Sequence, residues 1–181
     1  MVVCAVAAIA LAYTNRLTEP LIRGRVAEET QQALRELLPD ADQFAEAPEL
    51  FSRITAQFPE IQKVYVARTK GKVSGVAFLV TTTGYGGPVT TLVGLDEGGT
   101  VRGIKVVSAA KETPGLGTQV MEDWFQRQFE NIPLDAQLSL VKGPPKRAGE
   151  VQAITSATIS SRAVVEGVRT CREAFRALMG R

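Results

Sequence analysis

The chain opens on an uncharged apolar run, Met1 to Tyr13, and closes on an amphipathic one. Near the C-terminus, Val164, Val168, Cys171, Phe175 and Leu178 recur at steps of 4, 3, 4 and 3. That spacing puts them on one face of a helix. Arg162, Glu166, Arg169 and Arg172 fall largely off the stripe. Val26 to Leu38 predicts a second amphipathic helix. Pro39 stops it, because proline has no N–H to give and clashes with the preceding turn.

Between these helices the period shortens. Val73 to Thr83 is rich in β-branched residues and predicts a long strand, with a short one ahead of it at Val64 to Ala67. Gly84-Tyr85-Gly86-Gly87-Pro88 breaks the long strand. Val89 to Leu95 and Val101 to Ser108 predict a second pair, joined by the hairpin turn Asp96-Glu97-Gly98-Gly99. Lys111 to Gly117 reads as a Pro/Gly loop and Val120 to Phe129 as a helix carrying Trp124. Leu138 to Val141 reads as a last strand before the basic turn Lys142 to Arg147. Ala41 to Pro59 has no clear period and reads as helical turns and loop. Antiparallel hairpins flanked by helices predict an α+β domain, an antiparallel sheet with helices beside it.

The apolar start predicts a membrane-anchor helix. Thirteen residues would rise only roughly 20 Å at 1.5 Å each, short of the ~30 Å of a bilayer core. A cleaved signal peptide would need a basic stretch ahead of the apolar run, and none precedes it. A buried core helix is the plain alternative. Arg16, Arg23 and Arg25 follow the run, which by charge alone would put the domain in the cytoplasm.

Composition narrows the chemistry. With 21 Lys and Arg against 19 Asp and Glu, the net charge of +2 argues against a nucleic-acid surface. Histidine is absent, which excludes His-based triads and histidine-ligated haem or zinc. Two cysteines, Cys4 and Cys171, fall short of the four an iron–sulfur cluster takes. If the protein moves electrons, it needs an organic cofactor.

Three segments carry candidate chemistry. Thr155, Ser156, Thr158, Ser160 and Ser161 crowd the start of the last helix. Ordinary capping would use one hydroxyl. Free N–H groups and the helix dipole also make such a place a phosphate seat. No GxxxxGK[ST] motif is present, which excludes a nucleoside-triphosphate P-loop. The second segment, Lys111-Glu112-Thr113-Pro114-Gly115-Leu116-Gly117, suits laying backbone and Leu116 against a planar ligand, or merely linking a strand to a helix. The third, Gly84 to Pro88, suits a hairpin turn or a ligand wall formed by Tyr85.

Together these stretches resemble the FMN-binding domain shared by the G subunit of the Rnf electron transport complex and the C subunit of the sodium-pumping NADH:quinone reductase. The matching residues are GYGGP at Gly84 to Pro88, VGLDEGGTVRGIKVV at Val93 to Val107, KETPGLG at Lys111 to Gly117 and ITSATISSRAVVEGV at Ile154 to Val168. The resemblance runs from roughly Lys63 to Phe175 and takes in the anchor and its exit. It implies three parts: an anchor over 1–22, a helical connection over 23–62 and the FMN-binding domain over 63–181. The compact size looks more like the Rnf protein.

In that family a signature Asp-x-x-Ser/Thr-Gly-Ala-Thr carries FMN as a phosphoester on its last threonine, added by an FAD-using flavin transferase. Mapped here, the acceptor is Thr158. Thr155 and Ala157 match, whereas Gln152 replaces the Asp and Ser156 the Gly. The resemblance implies that amides near Ala157, Ile159 and Ser160 and the hydroxyls of Thr155 and Ser161 hold the phosphate. Glu112, Thr113, Gly115, Leu116 and Tyr85 would face the isoalloxazine. It further implies an electron-relay subunit of an ion-pumping complex between reduced ferredoxin and NAD, among iron–sulfur and flavin partners. The flavin domain would lie on the extracytoplasmic side of the inner membrane, against the charge reading above. A reversible flavin or phosphate binder, or an assembly subunit with a decayed site, fits the same residues.

Overall fold

A computed structural model of the chain describes residues 30–180. The expected anchor over 1–22 lies outside them. Among the described residues no helix is long and apolar enough to cross a membrane.

Five antiparallel strands follow one another in sequence order: β1 (Gln43–Glu46), β2 (Ile61–Thr69), β3 (Lys72–Thr83), β4 (Pro88–Asp96) and β5 (Val101–Ser108). Side chains alternate between the two faces of a strand. The register therefore aligns Val64, Phe78, Val93 and Ile104 in a row across β2 to β5. All four are buried. The next row, on the opposite face, is Tyr65, Ala77, Gly94 and Gly103.

Each face has its own helix. The long helix α4 (Thr158–Met179) closes the first. Its stripe Val164, Val168, Cys171 and Phe175 is fully buried, each such side chain contributing on the order of 2 kcal/mol. Gly167 brings α4 close to β3: a Cβ there would stand 3.1 Å from Val80 Cγ1. The Thr82 hydroxyl donates to the Ala163 carbonyl at 2.9 Å and fixes that approach. On the second face lies the last turn, residues 34–37, of α1, which is helical over residues 30–37. Leu37 and Leu38 settle into a trough that Gly75, Gly94 and Gly103 leave open. A Cβ at Gly94 or Gly103 would come within 3.1 Å of Leu37.

Several elements differ from expectation. Ala41 to Pro59 holds β1 and the helix α2 (Pro48–Ile54). Only Phe44 of β1 is part-buried, so no alternation announced this edge strand. Sheet residues thus stand on both sides of Lys63. The expected helix over Val120 to Phe129 is a 3-10 turn (Gly117–Met121), a single turn α3 (Asp123–Gln126) and another 3-10 turn (Arg127–Phe129). Gln126 breaks it up: its side chain accepts from Val106 N–H at 2.8 Å and donates to the Met121 carbonyl at 2.6 Å. These bonds tie the segment to β5. The strand after it, β6 (Ser139–Val141), pairs in parallel with β7 (Glu150–Gln152), apart from the main sheet.

Arg172, off the apolar stripe, is nonetheless buried. Its guanidinium donates to the carbonyls of Pro133, Leu134 and Ala136. Burial lowers its pKa first, and the nearby Arg176 charge lowers it further.

Candidate functional site

The site begins where α4 begins. Its N-cap is Ala157, which makes no side-chain capping bond. The first intrahelical bond runs from Ser161 N–H to the Ala157 carbonyl, 3.0 Å. Thr158, Ile159 and Ser160 thus occupy the first turn, where N–H groups have no intrahelical acceptor. Thr158 is exposed, and Ile159 is 51% exposed.

Neighbouring hydroxyls build the entry rather than cap it. Ser161 is fully buried. Its hydroxyl donates to the Ala157 carbonyl and accepts from Ile154 N–H, both at 3.0 Å. The Ala157 N–H is also spent, on the Ile154 carbonyl at 3.0 Å. Ser156 takes a φ of 65°, the left-handed region that favours glycine. The chain thereby turns sharply into the helix.

Two loops meet this turn. Gly84 N–H closes onto the Gly87 carbonyl at 2.8 Å, which presents Tyr85 outward at 71% exposure. Leu116 N–H bonds to the Thr113 carbonyl at 3.1 Å. Gly115, at φ 74°, donates to Thr118 Oγ1 at 3.0 Å. Glu112 joins all three segments. It is buried, its Oε1 accepts from Gly86 N–H at 3.1 Å, and its Oε2 accepts from the Ser160 hydroxyl at 2.7 Å. A Cβ on Gly84 or Gly117 would collide with that carboxylate.

The result is a cavity of about 560 Å³, within the usual range for small-molecule sites. Tyr85, Glu112, Thr113, Leu116, Ser156, Ala157, Thr158, Ile159 and Ser160 line it, as does Gly117. Three expected members do not: Thr155 and Gly115 are exposed outside the lining, and Ser161 is turned inward with its hydroxyl committed. The Ser161 hydroxyl and the Ala157 N–H, both expected as phosphate donors, are engaged by backbone groups in this structure. Gly117 was missed, although its place in the KETPGLG loop marked it. The departure at Gln152 lies in β7. There its backbone N–H donates to Gln128 Oε1 at 2.7 Å. A second cavity of about 570 Å³, lined by Leu37, Arg102, Lys105, Asp123 and Glu130 among others, contains none of the candidate hydroxyls.

What the cavity offers is an uncapped helix start, an exposed threonine hydroxyl and apolar walls at Tyr85, Leu116 and Ile159. That arrangement suits a ligand with an anionic group and a flat apolar body. A profile of the FMN-binding domain matches residues 84–173. The chain is 35% identical, over 98% of its length and 88% of the relative's, to the G subunit of the Na(+)-translocating ferredoxin:NAD(+) oxidoreductase complex of Acetobacterium woodii. It is 35% identical to the G subunit of the ion-translocating oxidoreductase complex of Stutzerimonas stutzeri, over 92% of this chain and 73% of that one. A third relative, the G subunit of the proton-translocating ferredoxin:NAD(+) oxidoreductase complex of Clostridium ljungdahlii, is 31% identical over 95% and 85%. Among solved structures, the C subunit of the Na(+)-translocating NADH-quinone reductase of Parabacteroides distasonis shares the fold. Its TM-score is 0.59 at 21% identity, covering 78% of this chain and 79% of that one. Shewanella oneidensis NqrC gives 0.56 at 20%, over 65% and 59%. The chain belongs to the FMN-binding domain family, alongside the G subunits of Rnf-type ion-translocating oxidoreductase complexes.

Proposed function

We propose that this chain is an electron-carrier subunit of a membrane-bound Rnf-type ferredoxin:NAD oxidoreductase, with FMN fastened to Thr158 through a phosphoester. The observation that carries the reading is the exposed Thr158 at an uncapped helix start, on the rim of a flavin-sized cavity. A flavin supplies the ability to take and pass electrons singly or in pairs.

The chain's own residues have distinct tasks in this reading. The first-turn N–H groups of α4 and its dipole hold the phosphate. Tyr85, Leu116 and Ile159 give the ring an apolar bed, and Thr113 offers a polar contact at its edge. Glu112 stands behind this surface, bonded to Ser160 and Gly86. Thr158 has no histidine to activate it, which fits an acceptor modified by a separate FAD-dependent flavin transferase rather than a self-acting nucleophile.

The rest of the proposal follows the apolar start and the family resemblance. Residues 1–22 anchor the chain in the inner membrane as a single pass. The flavin domain stands on the extracytoplasmic side, among iron–sulfur and flavin partners. The relatives' names give sodium in one case and protons in another, so either ion fits the pump.

Intact-mass measurement of the protein from its native membrane tests the ester. An FMN-sized increment that maps to the Thr158 peptide is expected, with yellow fluorescence that stays on the denatured chain. Thr158→Val should abolish both. An unmodified Thr158 peptide with colour released on denaturation would instead establish a reversible binder.

A further inference from the structure

We infer that Glu112 is a positioning residue for the flavin site: its carboxylate clamps the first turn of α4 to the two loops and holds a fixed negative charge at the cavity wall. The inference rests on the flavin reading for its second half only.

The clamp is visible in the bonds. Glu112 accepts from Gly86 N–H on one oxygen and from the Ser160 hydroxyl on the other. Each oxygen is engaged by a different segment of the chain. One side chain thus ties the Gly84–Gly87 turn, its own loop and residue three of α4. The surrounding chain is shaped around it, since Gly84 and Gly117 are the positions where any Cβ would strike its oxygens. An exposed loop carboxylate would not need that clearance. Ser160 is fully buried and Glu112 is 4% exposed, so this is an interior charge-assisted bond, stronger than a neutral one. Neither bond uses a backbone N–H of α4, so the first-turn donors stay without a side-chain cap beside the cavity.

The charge has a consequence for electrons. Adding an electron to a ring in this cavity brings negative charge toward a buried carboxylate, where the field is poorly screened. Glu112 therefore holds the reduction potential down.

Two variants of the full chain, matured in a host with the flavin transferase, separate the two halves. Glu112→Gln keeps the shape, because the amide can still accept from Gly86 and donate to Ser160, and removes the charge. In a spectroscopic redox titration its ratio of reduced to oxidised flavin at fixed potential should rise at least tenfold, about 30 mV for a two-electron couple. Ser160→Ala keeps the charge and removes a bond. Hydrogen exchange at the Ser161 amide should quicken at least tenfold, with a smaller change in potential. A flavin-loaded Glu112→Gln protein with the parent's potential, or Ser160→Ala with unchanged exchange, overturns the inference. A parent chain without flavin overturns the proposed function instead, and exchange in that chain still decides the clamp.

Discussion

Ser156 shows how a departure from a family pattern turns into a physical quantity. The signature has glycine there, and the structure gives the reason: φ is 65°. A side chain in that region costs roughly 1–2 kcal/mol. Glycine loses part of the gain, about 0.5–1 kcal/mol, through its freer unfolded state. Ser156→Gly is therefore expected to raise stability by about 1 kcal/mol in urea unfolding, with no loss of flavin incorporation. At this scale the sequence marked the right stretch but not the direction of each side chain. Thr158 and Ser161 are equally polar and close in the chain. One stands on the cavity rim, and the other is spent pinning the turn. The helical step that separates them becomes visible only once the helix start is fixed.

At the scale of elements, periodicity revealed what alternates and missed what does not. The stripe of α4, the β-branched run of β3 and the hairpin after β4 are plain in the residues. The strand β1, Gln-Phe-Ala-Glu, is a mostly exposed edge, and its place is set by pairing with β2. Arg172 was unreadable because a charged residue off the stripe ordinarily faces water. Here the loop over 133–136 brings three carbonyls to it. Arg172→Met should cost about 1–3 kcal/mol, since the part-buried Pro133 and Ala136 carbonyls lose their guanidinium donor while Arg176 still reaches Leu134. Urea unfolding with a fall in midpoint checks this. Immediately before it on α4, Cys171 makes a pH prediction. Burial raises its thiol pKa above the ordinary value of 9.0. The folded-state pKa is the higher one, so this stability is complete below pH 9 and declines as pH rises. Above pH 9 the unfolded chain sheds the proton that the folded chain keeps. The decline should approach about 1.4 kcal/mol per pH unit. Cys171→Ala should show a shallower alkaline slope than the parent in urea titrations from pH 8 to 10.5.

For the molecule as a whole, both faces of the sheet have to be covered, and the covers come from opposite ends of the described chain. The α4 side was legible from the C-terminal stripe. The α1 side was not, because its receptor is the glycine trough of Gly75, Gly94 and Gly103, and glycines read as turns rather than as a packing surface. Leu34, Leu37 and Leu38 are all buried. A loss of about 2–5 kcal/mol for each such leucine rivals the whole stability of a typical domain, ~5–15 kcal/mol. The profile match begins at residue 84 and the resemblance at Lys63, yet the sheet's second cover and its first strand lie ahead of both. Two shortened chains decide whether these parts are accessory. One that begins at residue 30 keeps α1, β1 and α2, and should unfold in a single cooperative transition. One that begins at Lys63 lacks all three and opens the Tyr65–Ala77–Gly94–Gly103 face to water. It should bind a hydrophobic dye such as ANS and lose near-ultraviolet circular dichroism. Cooperative unfolding of the shorter chain, without dye binding, would mean that the α4 face alone is a sufficient core and that the domain begins where the resemblance does.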